Sequence, residues 1–380
     1  MTHAHSLIRL LSFVLTLLGG GILSPAQTVV HVHGTGKPLA ERWSGAIEEA
    51  KGKGFEKEYW IGYSIERMMN EHSYIGSFFS DPRRNKPTLE ELLTGMTPED
   101  RISDHSVHGI SSMDGMISFD DEQEPRRKVV KEVGILFHMP GTRDRSVDEL
   151  KVSNLSLHVD LGVEPIFWLG VADYAESVTF LESVFSNINV IEIKKRLIMA
   201  IGLHNDSKDA ISFLKRTLQG SGISEVREEA AFWLGQTNSE DARKILTETA
   251  WDDKSEDVRE KAVFAISQME GEASTDALIS LAKTHRDMET RKKATFWLGQ
   301  KASEKAVGTL KELVYKDEET EVQKSALFAL TQQDDGEAVS DLVTIARTHP
   351  NPEIRKQAIF WLGQCEDPKA LDALIKIIRN

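Results

Sequence analysis

The side chains best suited to chemistry in this 380-residue chain are few and scattered. His31 stands two residues before His33, and His105 three before His108. Each pair could supply two ligands to a metal, but a zinc site needs three or four, and no third lies nearby in sequence. They read as solvent-facing strand or loop residues. The segment "HGTGKP" carries the Gly-Lys of a phosphate loop, yet position 31 is His where that loop needs glycine. Pro38 also replaces the hydroxyl that would hold magnesium. Cys365, the single cysteine, is followed by Glu366 and Asp367, and no cation stands beside it to favour a thiolate. These residues assign no catalytic role, no metal and no cofactor.

Composition narrows the partners. Sixty acidic against 46 basic residues leave a net charge of −14, which repels nucleic-acid phosphates and anionic lipid surfaces. No basic stripe with interleaved aromatics reverses this locally, so nucleic acid is not an expected partner. Residues 1–26 differ from the rest: Arg9 precedes the apolar run "LLSFVLTLL", then "GGG", then small residues at Ser24 and Ala26. That pattern predicts a cleaved secretory signal peptide, since the run is far short of the roughly 20 residues a membrane span needs. The expectation is an exported chain, periplasmic or extracellular, with no integral membrane insertion after cleavage. One thiol allows no internal disulfide, so stability must come from packing.

The elements available for that packing repeat. Phenylalanine recurs every 32 residues at Phe232, Phe264, Phe296, Phe328 and Phe360, within "AAFWLGQ", "AVFAISQ", "ATFWLGQ", "ALFALTQ" and "AIFWLGQ". With one inserted residue, "LIMAIGL" (197–203) continues the register backward, and "PIFWLGV" (165–171) completes seven copies. Leucines at 214, 246, 278, 310, 342 and 374 form a second ladder in phase with the first. Each period predicts two helices. Ala338, Val339, Leu342, Ile345 and Ala346 make one apolar stripe at helical spacing, and Val226, Ala230, Trp233 and Leu234 make another. Such hairpins bury their stripes only by stacking on one another, as an α-solenoid does.

The acidic residue followed by Val-Arg or Ile-Arg and an apolar run to Leu-Gly, as in "EVREEAAFWLG" and "EIRKQAIFWLG", resembles the HEAT-like repeat of phycobilisome lyases. The resemblance covers about 161–380. It implies a mainly α fold, an armadillo-like α-α superhelix of about seven helix pairs, and says almost nothing about function. Deoxyhypusine hydroxylase, a relative in fold, binds iron through His-Glu dyads, and no "HE" dipeptide occurs here.

Tryptophan alternates with alanine: Trp168, Trp233, Trp297 and Trp361 against Ala200, Ala265 and Ala329. We read this as volume complementarity, each indole filling space left by the alanine of the next repeat. Phe and Gln fall on a different flank of the same helix. Phe232, Gln236, Phe264, Gln268, Phe296, Gln300, Phe328, Gln332, Phe360 and Gln364 therefore form a column, which is either inter-repeat packing or the wall of a groove for an extended partner. Acids at 225, 257, 289, 321 and 353 precede Arg227, Arg259, Arg291, Gln323 and Arg355, and the family likeness implies an ion-pair ladder.

Residues 27–160 lack the register. "PLAERWSGAIEEAKGKG" predicts a helix, "YWIGYSI" a strand, "TLEELLTG" a short helix with a Thr88–Glu91 capping box, and "VVKEVGILFHM" and "ELKVSNLSLHVDL" two strands. A mobile loop is expected near 96–127. The expected organisation is a small α+β unit at 27–160 before a solenoid at 161–380. The expected function is a noncatalytic scaffold for protein–protein interaction in the cell envelope, with a partner of unknown identity. The alternatives are a lyase-like or cofactor-handling HEAT subunit, or an activity carried by the N-terminal unit.

Overall fold

The computed structural model describes residues 27–32, 34, 36–54, 57–76, 87–95, 116–118, 127–141, 146–204, 207–301, 303–332, 335–365 and 367–378. The expected signal peptide, His33, His105 and His108 lie outside these residues. Two units divide at Val171 and Ala172, later than the expected 160/161 boundary. The reason is "PIFWLGV", which shares the five central residues of the repeat "AIFWLGQ" but forms a strand, Ile166–Val171. Pro165 disfavours a helical residue before it, and Gly170 takes a φ of 80°, a left-handed value foreign to a helix interior.

In the first unit the elements run β1 (Val29–His31), α1 (Leu39–Gly52), β2 (Tyr59–Asn70), β3 (Ser73–Ile75), α2 (Leu89–Thr94), β4 (Met116–Ser118), β5 (Lys128–Met139), β6 (Glu149–Asn154) and β7 (Ile166–Val171). The main sheet has the order β1-β7-β2-β5-β6. Strands β2 and β5 pair antiparallel over their whole length, and β7 enters parallel between β1 and β2. Alternation along the strands sorts the aromatic residues by face. Phe137 meets Trp43 of α1 at 5.0 Å, whereas Trp60, Leu136, Ile166 and Trp168 pack with Leu89 and Leu93 of α2. The predicted capping box is formed, Thr88 Oγ1 accepting from Glu91 N and Glu91 accepting from Thr88 N. Within the loop expected at 96–127, residues 116–118 instead pair with β3, Ile117 opposite Tyr74. A three-residue strand in a polar stretch is too short to leave a periodic signal.

The second unit contains α3 (Tyr174–Asn187), α4 (Ile191–Gly202), α5 (Lys208–Gly220), α6 (Ser224–Gly235), α7 (Glu240–Asp252), α8 (Glu256–Gln268), α9 (Glu272–Thr284), α10 (Met288–Leu298), α11 (Glu304–Lys316), α12 (Thr320–Leu330), α13 (Asp335–Thr348), α14 (Pro352–Gln364) and α15 (Pro368–Ile378). Six pairs are followed by α15. Odd-numbered helices carry the leucine ladder, with Leu214, Leu246, Leu278, Leu310 and Leu342 buried. Ser207, Ser239 and Ser303 cap α5, α7 and α11, each accepting a backbone N–H three residues on. Even-numbered helices pack on one another more closely than odd-numbered ones do, so they form the inner layer of this unit. Among the described residues no helix is long and apolar enough to cross a membrane.

The close packing occurs at glycine. A Cβ added to Gly235 would lie 2.8 Å from Ala265 Cβ, and one at Gly299 would lie 2.8 Å from Ala329 Cβ. The alternating alanines are therefore occupied by the glycine of the preceding repeat, and not by an indole as the sequence suggested. Trp233 instead lies over Gly202, where a Cβ would come within 2.5 Å of the indole. It is 1% exposed and donates Nε1–H to Glu229 at 2.7 Å. Trp297 and Trp361 follow Ser267 and Thr331 at the position of Gly202. They are only half-buried and rest on Phe264 and Phe328. The expectation that every repeated indole faces the core holds for Trp233 and fails for these two.

The arginine ladder joins neighbouring repeats as the family likeness implies, but through other carboxylates. Its carboxylate partners are Asp253, Asp287 and Asp317 in the loops ahead, at 2.8, 3.3 and 3.3 Å from Arg227, Arg259 and Arg291, and not the acids two residues earlier. Every rung shares a second bond. Arg227, Arg259, Arg291, Gln323 and Arg355 each donate to the carbonyl six residues back, at Ser221, Asp253, His285, Asp317 and His349. Gln323 retains that bond but leaves its Oε1 buried without a partner. The rung's partner position is Asn351, 64 residues after Asp287, so both charges vanish together. Burial pushes the Asp253 carboxyl up, but the Arg227 guanidinium and the Ser255 N–H outweigh burial and hold it below the usual range. The rung's contribution is thus present above the ordinary Asp range and fades as pH falls below it.

Two results are expected from urea denaturation. Trp233→Ala should cost about 3–5 kcal/mol, and Trp297→Ala no more than about half as much, because its indole is already half in water. Gln323→Arg with Asn351→Asp should be more stable than the sum of the single changes by about 1 kcal/mol, the coupling of a restored rung. A zero coupling would contradict the rung.

An aromatic ribbon on the inner helices as the candidate functional site

The column of Phe and Gln expected from the sequence lies on the even-numbered helices from α6 to α14. Phe232 stacks on Phe264 at 6.1 Å with planes 5° apart, and Phe296 stacks on Phe328 at 6.3 Å and 7°. Half-buried indoles join these pairs. Phe264 meets Trp297 at 5.0 Å, Trp297 meets Phe296 at 5.1 Å, Phe328 meets Trp361 at 5.2 Å, and Trp361 meets Phe360 at 5.1 Å. Trp233 closes the other end on Phe232 at 5.4 Å. The result is one unbroken ribbon of eight rings across five helices. Phe296 is 36% and Phe360 52% exposed, so part of the ribbon faces solvent.

The glutamines stand at the C-terminal ends of the same helices. Gln268, Gln300, Gln332 and Gln364 are exposed and Gln236 is half-buried. The side chains of Gln268 and Gln332 donate to the hydroxyls of Ser267 and Thr331, their own neighbours. They do not tie one repeat to the next. The structure brings the five phenylalanines into one surface and leaves the amides along its border. The membership of Trp297 and Trp361 was not apparent from sequence, because a helical wheel of one helix puts them on the core side. Their contact depends on the offset between neighbouring helices.

Charge is uneven along the ribbon. Near α6 and α8, Glu228 is held above the usual carboxylate range by burial and by the charges of Asp257 and Glu225. Near α12 and α14, Lys324 bridges Glu321 at 2.9 Å and also contacts Glu353. What this arrangement can do is bind: flat apolar faces accept side chains, and primary amides offer both donors and acceptors to a passing backbone. No nucleophile and base approach each other on it. Among the described residues no three His, Cys, Asp or Glu side chains gather as metal ligands do. His31 Nε2 lies 3.0 Å from Leu93 O, and Cys365 Sγ donates to Trp361 O at 3.3 Å. In the first unit His138 Nδ1 lies 2.6 Å from Asp148, a pair that bridges β5 to the start of β6.

Residues 188–267 and 275–348 match the family model of HEAT repeats, and residues 354–380 match that of the PBS lyase HEAT-like repeat. No curated protein matches the chain. Among solved structures it is similar to human deoxyhypusine hydroxylase in complex with glycerol, at 20% identity and a TM-score of 0.24 over 54% of this chain and 81% of that one. It is similar also to the complex of CpcE and CpcF of phycocyanin lyase from Nostoc sp. PCC7120, at 17% identity and a TM-score of 0.31 over 53% and 79%. A third is AlkD2 from Streptococcus mutans, at 16% identity and a TM-score of 0.35 over 50% and 96%. The second unit therefore carries HEAT repeats over residues 188–348 and ends in a repeat of the PBS lyase HEAT-like type.

Proposed function

We propose that the protein is an exported, noncatalytic HEAT-repeat scaffold that binds an extended segment of a partner protein along the aromatic ribbon. The single observation that carries this reading is the continuity of the eight rings from Trp233 to Phe360. A row of rings this long matches the side-chain spacing of an extended polypeptide better than the outline of a small metabolite, which a concave pocket would enclose. The exposed amides of Gln300 and Gln364 border the rings where a partner backbone would run. Export rests on Arg9, the apolar run behind it and the small residues at Ser24 and Ala26. The net charge of −14 favours a protein over nucleic acid.

The joint change Phe296→Ser with Gln300→Ala tests the ribbon. It should lower the melting temperature by only a few degrees, roughly 1 kcal/mol, since both residues are already exposed. Capture of a defined partner from an envelope extract, identified by mass spectrometry, should fall at least about tenfold, the loss expected when one or two contacts of a hot spot go. Lys305→Ala, on α11 of the outer layer, should leave capture intact. Equal capture by the parent and the ribbon variant would reject the reading.

A further inference from the structure

The arginine ladder has one more position toward the N-terminus. Lys194 of α4 stands 33 residues before Arg227, as Met199 does before Phe232. Ser221 stands 32 before Asp253, and the two are the C-caps of α5 and α7. The serine keeps the local role of the aspartate: Ser221 Oγ accepts from Ile223 N at 3.2 Å, as Asp253 Oδ1 accepts from Ser255 N at 2.8 Å. It does not supply the charge. At the Gln323 rung the cation and the anion are lost together, whereas here the anion alone is lost and the cation stays. Lys194 is half-buried, and none of the described residues gives its Nζ a hydrogen bond or an ion pair. The ammonium rests instead over Phe185, 4.6 Å from the ring centroid.

An open cavity of about 480 Å³ lies at this position, with Glu182, Phe185, Lys194, Phe213, Arg216 and Ser221 in its lining. Arg216 donates to both oxygens of Glu182 at 3.1 Å, so these two charges offset each other. Lys194 then leaves the cavity with one net positive charge, in a chain whose total is −14. Beside the ammonium, Phe185 and Phe213 meet edge to face at 5.1 Å and form an apolar wall. A half-buried cation loses hydration, and an anion restores the loss through a charge-assisted hydrogen bond. The array shows which anion fits, because the arginines at the same position in three later repeats each hold a carboxylate. We propose that this cavity binds a small organic acid, its carboxylate on Lys194 where Asp253 sits on Arg227, and its apolar body against Phe185 and Phe213. The site lies on the loops behind the odd-numbered helices and does not depend on the aromatic ribbon.

The test is calorimetric titration of the full chain with 3-phenylpropionate, with 3-phenylpropionamide and acetate as controls. A ligand of this size should bind with a Kd of about 1–10 mM. The amide, which lacks the charge, and acetate, which lacks the apolar body, should each bind at least about tenfold more weakly, the loss of one such contact. Lys194→Met should weaken 3-phenylpropionate by a similar factor, about tenfold, while Lys194→Arg retains it. Ser221→Asp places a carboxylate in the seat from within the chain. It should also weaken the acid about tenfold, with a melting temperature no lower than the parent's, which separates occupation of the site from damage to the fold. Absence of saturable binding of 3-phenylpropionate to the parent would overturn the proposal. Equal binding of acid and amide would do so too, as would binding indifferent to both Lys194→Met and Ser221→Asp.

Discussion

The HEAT array depends on a contact between backbones: Gly235 against Ala265, and Gly299 against Ala329. At these points no side chain longer than a methyl group fits between successive inner helices. The neighbouring helix therefore comes close, and the even-numbered helices pack on one another more tightly than the odd-numbered ones do. The energetic return is spread over the buried residues around each contact, such as Ala230, Leu234, Ala262 and Ile266. Those residues lose their fit together if the helices separate, since interiors of this density do not deform gradually.

The same contact places the ribbon. With the helices held this close, the phenylalanines on either side of each joint are brought ring to ring, and Phe232 stacks on Phe264 as Phe296 does on Phe328. Between these pairs the spacing residue is Ser267 or Thr331 in place of glycine, and the indole cannot sink as Trp233 does. It is displaced onto the phenylalanine of the previous repeat, which makes the ribbon continuous. A single packing rule, close at one joint and open at the next, yields both the tight pairing of inner helices and their apolar surface. The 64-residue period is the period of that rule.

Much of this was legible before any coordinates. The phenylalanine and leucine ladders are strict, and a strict period is the strongest signal a solenoid emits. The capping box at Thr88 and the strands around Tyr63 and Leu136 are local features and formed as their residues suggest. What escaped were features that depend on the path of the chain between elements. "PIFWLGV" has the composition of a repeat helix, and only Pro165 before it and the left-handed Gly170 within it mark it as a strand. The family likeness implied an ion-pair ladder between neighbours, and one forms, but its carboxylates are loop aspartates one repeat ahead and not the acids two places before each arginine. The constant feature, a carbonyl six residues back, requires a turn whose course no pattern of types reveals. The roles of glycine and alanine were open to inference, because Gly235, Gly299 and Gly363 alternate in step with Ala265 and Ala329, but the larger tryptophan drew the argument instead.

The most direct measurement is the equilibrium stability of Gly299→Ala beside Gly363→Ala. An added methyl at Gly299 would overlap Ala329, whereas at Gly363 nothing lies within 4 Å. The account predicts a loss of about 1–3 kcal/mol for the first and no loss, or a gain of a few tenths, for the second, where helix propensity alone acts. Equal effects at the two sites, or a stable Gly299→Ala protein, would show that the inner helices do not rely on backbone contact and would contradict it.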